Sequence, residues 1–272
     1  MDKIEKIAKR LVALDAEVAK HHWSNTSEHP AAYVGTFGKY ANHSIDGMWV
    51  DLMTFDGKED FDNFCKNVLH KDEPDAEPMI QDTSNMPESL CSGYGTFDSK
   101  TWDYLAFLKE HVRFEEDGDA VTDSTNTSDG KATNYGDYDK DVVDAIIEHG
   151  HSIDDVENAS VYPECYDMTD VAEQIVRECG EDAFTESAWE DAFDYEHYGR
   201  EWQWDMTSEE REQYEGMTDE EIGEDAVEMQ GGLKELGFET VKAYADFHKL
   251  GDMLEYDGDW IRYDGGYIQI IQ

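Results

Sequence analysis

A formal net charge of −45, from 66 Asp and Glu against 21 Lys and Arg, sets the first limit on how this chain can fold. Like charges held in one body repel, and that repulsion opposes every stabilising contribution. Acidic chains poor in large apolar side chains stay disordered. This chain has 7 Trp, 15 Tyr and 11 Phe, rings that imply packed structure. Its 272 residues suffice for one large domain or two to three small ones.

The charge is also uneven. Residues 1–30 hold five bases and five acids, whereas the rest of the chain holds 16 bases and 61 acids. Between Asp141 and Gly199 there are 18 acids and a single base, Arg177. Adaptation to salt, or solubility alone, gives acidic surfaces too, but neither leaves one segment neutral and another almost free of cations. A directional field of this sign avoids nucleic acid and anionic membranes and seeks cationic clefts. Duplex DNA carries about one negative charge per 1.7 Å of axis, so the excess of 45 acids matches about 22 base pairs.

Four cysteines, Cys65, Cys91, Cys165 and Cys179, form no CxxC pair, so neither a disulfide framework nor a zinc signature is present. No apolar signal core and no apolar run of membrane-spanning length occurs. The expectation is a cytoplasmic protein.

Ile4, Ile7, Leu11, Leu14 and Val18 step at heptad-like spacing, which predicts one helix up to His29-Pro30. Two strands are expected next, Ala32–Phe37 and Tyr40–Leu52, as a hairpin. A helix follows to Leu69, with Phe61, Cys65, Val68 and Leu69 on one face, then a strand at Met79–Asp82. Helices are expected at 98–114, at Asp139–Glu148, and from a cap at Thr169 or Asp170 to Cys179. Ser152 and Asp155 resemble a capping box, as do Thr218 and Glu221. Residues 115–138 read as a long loop, and Glu239–Lys249 as a periodic helix. Two strands around Asp264-Gly265-Gly266 read as a hairpin. The division expected is an N-terminal helix (1–30), an α+β domain (31–90), a helical domain (91–150), and an α+β domain (151–272) carrying a helical insertion at 205–253.

Catalytic motifs are missing: there is no GxSxG, HExxH, P-loop or strand-to-helix GxGxxG. Asp137, Asp139, Asp141 and Glu148 fall at EF-hand positions, but Val142 replaces the required glycine, which excludes a calcium loop. His149 and His151 read as residues at a helix C-terminus rather than as metal ligands. No catalytic residue, metal or cofactor is expected.

Several runs, in order, carry a resemblance. They are Ala32–Tyr40 followed by Gly47–Leu52, Met79–Asp82, Ser152–Asp155, Cys165–Ala172, Phe193–Glu201, and the final Gly-Gly-Tyr strand. Together they resemble the ArdA antirestriction proteins, with Ala41 placed before Asn42 and Thr83 standing where the family has an aromatic residue. The resemblance implies an elongated α+β protein of three small domains, dimeric and curved like bent B-form DNA. It further implies a protein that inhibits Type I restriction-modification enzymes by occupying the DNA groove of their methyltransferase and specificity subunits, without binding nucleic acid itself.

On this reading the DNA-mimicking acids are Asp141, Asp144, Glu148, Asp154, Asp155, Glu157, Asp167, Asp170, Glu173, Asp182, Glu186, Glu190, Asp191 and Asp194. The resemblance puts the two-fold contact near 158–170, through Val161, Tyr162, Cys165, Tyr166 and Met168. The N-terminal helix, the 115–138 loop and the 205–253 insertion exceed the family pattern. Two alternatives stand beside it: a mimic directed at a different DNA-binding defence complex, and an acidic metal-binding or solubility-adapted protein.

Overall fold

Ala31, Ala32 and Val34 have no solvent exposure, and a run buried on both faces can only be a middle strand. In the computed structural model, which describes residues 15–91, 95–114 and 138–271, this run is β1 (Ala31–Thr36). It lies between β2 (Met48–Asp51) and β3 (Pro78–Ser84). Both pairings are antiparallel, with Tyr33 opposite Trp49 on one side and Asp82 on the other. The expected hairpin is present, but its second strand starts at Met48 rather than Tyr40. Thr36 accepts a hydrogen bond from the Lys39 amide at 3.0 Å, and that cap turns Phe37–Ala41 into a short helix, α1.

The chain continues through α2 (Lys58–Phe64), a π-helical turn (Cys65–Leu69), α3 (Ser99–His111) and α4 (Lys140–Glu148). Phe55, Phe61, Phe64 and Cys65 are buried, with the Phe55 and Phe61 rings edge to face at 5.3 Å. Asp139 caps α4 by accepting from the Asp141 amide at 2.9 Å.

The N-terminal helix does not run to residue 29. Residues 15–20 are helical, and the backbone then extends, His22 bridging Val50 of β2. His21 prefers that arrangement because its ring stacks on Phe55 at 4.2 Å, burying it. The seam positions Ile4, Ile7, Leu11 and Leu14 lie outside the described residues, as does nearly all of the expected 115–138 loop.

A capping box between Ser152 and Asp155 starts a 3-10 turn, Ile153–Asn158, as expected. After β4 (Ala159–Pro163) come α5 (Met168–Cys179), α6 (Glu186–Ala192) and α7 (Tyr195–Trp202). The cap of α5 is Asp167 rather than Thr169 or Asp170, with Asp170 closing the box from inside. Then follow α8 (Ser208–Gln213), α9 (Asp219–Met229), α10 (Leu233–Leu236), α11 (Phe238–Ala243) and α12 (Phe247–Asp257). The single helix expected over Glu239–Lys249 is therefore two, because Asp246 caps a new start by accepting from the amides of His248 and Lys249. The expected terminal hairpin is β5 (Asp259–Tyr263) and β6 (Gly266–Ile270), in a sheet of order β4-β6-β5. The fold is mixed α+β with small sheets and a helical majority.

Two compact units result. The first comprises Met1–Val161, Ile261–Asp264 and Ile270–Gln272, and the second Tyr162–Trp260 and Gly265–Gln269. The second unit has a continuous core of Ala172, Val176, Trp189, Phe193, Tyr198, Ala226, Val227 and Leu250. Its tightest contact is the crossing of α7 on α9 at Gly199 and Gly223. A Cβ at Gly199 would press on the Asp219 carbonyl and stand 2.5 Å from the Gly223 amide nitrogen, and one at Gly223 would strike Tyr195. Glycine is required here for close approach, not for unusual dihedrals.

Candidate functional site

Of the fourteen acids expected on the surface, eleven are exposed: Asp141, Glu148, Asp154, Glu157, Asp167, Glu173, Asp182, Glu186, Glu190, Asp191 and Asp194. Some of these also hold local structure. Glu148 accepts from the Ser89 amide at 3.2 Å, Asp194 and Asp167 cap helices, and Glu186 pairs with Lys234 at 2.6 Å.

The other three are half-buried. Asp155 and Asp170 close capping boxes, and hydrogen bonds from Ser152 hold the Asp155 carboxyl below the usual range. Asp144 faces inward. It accepts from the Tyr104 hydroxyl at 2.6 Å and pairs with Lys140. Burial pushes its carboxyl up despite the opposing pull of Lys140. Its charge is matched within the protein, so little of it reaches the solvent.

A concentration of acids lies in the second unit. Glu190 of α6 and Glu224 and Glu228 of α9 line one groove, with Tyr195 between the helices. Burial first, and then the fields of Glu190, Glu224 and Asp191, raise the Tyr195 hydroxyl above the usual phenol range. Among the described residues, no Lys or Arg lines this groove. On α9, Glu220, Glu224 and Glu228 are all exposed at i,i+4 spacing, about 6 Å apart along the axis. Sequence reasoning found Glu190 and Asp191 but passed over Glu220, Glu224 and Glu228, because 205–253 read as an insertion. The signal was there: three acids stepping by four after the Thr218 cap.

The five residues expected at a two-fold contact separate into two kinds. Cys165 and Met168 are core, packed with Val171 against Tyr162, Leu254 and Trp260. Burial pushes the Cys165 thiol up to about 11 and the Tyr162 hydroxyl up to about 12. Val161 is half-buried in β4. Only Tyr166 projects, 79% exposed.

Among the described residues no group of three or more His, Cys, Asp or Glu could hold a metal ion, and no helix is long and apolar enough to cross a membrane.

The fold and these surfaces define a strongly acidic α+β protein with carboxylates exposed along its helices. The model of the antirestriction protein family ArdA matches residues 32–213. The chain belongs to that family of antirestriction proteins. No curated protein and no solved structure matches it.

Proposed function

We propose that this antirestriction protein is a DNA mimic that inhibits Type I restriction-modification enzymes by occupying the DNA groove of the methyltransferase and specificity subunits. The observation that carries the reading is the Tyr195 groove, which Glu190, Glu224 and Glu228 line together and to which, among the described residues, no Lys or Arg contributes a wall. A cationic cleft shaped for phosphates can pair its charges with such carboxylates instead. No reacting group is needed, so the protein acts by competition and not by catalysis. In this reading the chain keeps the three small domains of its family, works in the cytoplasm, and pairs with a second copy through the region around Tyr166.

The test is displacement of labelled duplex from a Type I methyltransferase core at low and moderate salt. The inhibitor's own affinity for the core, measured directly alongside the displacement, should weaken as salt rises, because charge-paired contacts are screened. Simultaneous binding of inhibitor and duplex would rule the mechanism out. Tyr166→Asp should give monomers with the fold intact, since this side chain is outside the core; ultracentrifugation reads that directly. A second reading, that the target is another DNA-binding defence complex, is favoured by one fact. Residues 214–272, including α9 and its acids, lie beyond the matched span.

A further inference from the structure

A second pocket in the same unit differs in kind from the carboxylate groove. It encloses about 490 Å³, with Phe184, Trp189 and Phe238 in its walls and Glu181, Asp182 and Glu186 around them. The rings meet edge to face, Phe184 to Trp189 at 5.6 Å and Trp189 to Phe238 at 5.8 Å. The Trp189 indole is fixed by donating to the Glu181 carbonyl at 3.1 Å. Aromatic faces beside carboxylates attract one class of group strongly: a cation with an apolar or planar body.

The chain's own lysines show both halves of that attraction. Lys234, which also lines the pocket, pairs with Glu186 at 2.6 Å although both side chains are more than half exposed. Lys242 lies over the Phe238 ring, 6.0 Å from its centroid. Each lysine satisfies one feature, the carboxylate or the ring. A guanidinium can satisfy both, stacking its plane on a ring while its edge donates to carboxylates.

We propose that this pocket receives an arginine side chain from the basic partner protein, and so adds a specific anchor to a diffuse electrostatic contact. The charge complementarity is local, three acids against one lysine that already belongs to the chain. The walls have different standing in the family. Glu181 to Trp189 fall within the matched span 32–213, whereas Lys234 and Phe238 come from beyond it. The partner's identity rests on the mimic reading; the pocket's preference for arginine does not.

The experiment uses the full chain and two short labelled peptides, one alternating arginine with glycine and the other lysine with glycine. Both should bind at low salt through net charge. The arginine peptide should bind about fivefold more tightly, the size of a modest cation–π gain. The double variant Phe184→Leu with Phe238→Leu should bring that ratio close to one, with the arginine peptide losing far more affinity than the lysine peptide. Lys234→Met, which touches only an exposed side chain, should raise the ratio, whereas Lys249→Met should strengthen both peptides equally. Equal binding of the two peptides by the unaltered chain would overturn the proposal, as would a ratio indifferent to both the Phe pair and Lys234. Duplex displacement is scored separately: its failure with the arginine preference intact removes the mimic reading and not the pocket.

Discussion

In the first unit, several lysines are drawn onto acids and backbone carbonyls, while acids such as Asp46, Asp72, Asp141 and Glu157 stay exposed. Lys39 stands 3.5 Å from Asp46 and 3.3 Å from Asp72 and donates to the Nδ1 of buried His70 at 3.2 Å. Lys140 is buried against Asp144, and Lys109 donates to the Phe55 carbonyl. In the second unit the helices are held by rings and by the Gly199–Gly223 crossing, acids at its surface pair with Arg200 and Lys234, and Glu224 and Glu228 face outward along a groove. One composition thus serves two ends. Asp144 of the first unit joins α4 to α3 through Tyr104, whereas Glu224 and Glu228 of the second line an open groove.

The largest effect should come from separating the buried pair. Lys140→Met strands Asp144 beside Tyr104, and breaking a buried ion pair on one side costs about 3 kcal/mol. Urea unfolding measures it, and a cost under about 1 kcal/mol would show that the carboxyl simply takes up a proton. Next in size is Gly199→Ala, which forces α9 off α7 at a cost of about 2 kcal/mol, as overpacking does. Protease sensitivity of α9 should rise with it. Gly57, where a Cβ meets nothing within 4 Å, is the control, and equal behaviour of the two alanine variants would refute the close crossing.

A smaller effect separates the units by pH. Burial, reinforced by Lys39, lowers the His70 imidazole below its ordinary value, and burial, reinforced by Lys20, does the same for His21. The unfolded chain takes up protons below about pH 6.5, while the folded unit resists them. Stability contributed by these two groups is therefore lost as pH falls from about 6.5 toward their lowered folded values. His70→Gln should flatten that slope in unfolding curves compared at neutral and mildly acidic pH; an unchanged slope would count against it. Smallest for the fold, Glu190→Gln with Glu224→Gln and Glu228→Gln should leave the melting temperature unchanged or slightly raised, since repulsion is relieved. The same triple variant should weaken duplex displacement, and a marked loss of stability instead would make those acids structural.

Much of this organisation was legible from residue order. Capping boxes at Ser152 and Thr218 and the hairpin at Asp264-Gly265 work through neighbours in sequence, so local chemistry sufficed to find them. Thr36 was different. A hydroxyl that caps Lys39 and also donates to Glu73 at 2.5 Å depends on a residue far along the chain, and Tyr40 and Ala41, expected to open the second strand, close a short helix instead while the strand begins at Met48. Asp144 could not be told from its neighbours for the same reason: every acid on α4 looks alike until Tyr104 is brought against one of them. The apolar run at 161–168 carried the composition of an interface, yet Cys165 and Met168 fill the unit's own core, a distinction that periodicity over so few residues cannot make.

The extended residues beside β2 have a further consequence. The His21 carbonyl accepts from the Asp51 amide at 2.9 Å, and the Trp23 amide donates to the Trp49 carbonyl at 3.3 Å, so three residues cap the outer flank of the sheet. A bare flank is a template on which another copy can lay a strand. Mutual repulsion keeps acidic copies apart in dilute buffer, but in strong brine its reach shrinks to about 3 Å. The cover on β2 goes on working there, because it depends on satisfied backbone groups rather than on charge. The β2 edge is therefore guarded twice, and the neutral segment of the chain supplies the guard that salt cannot remove.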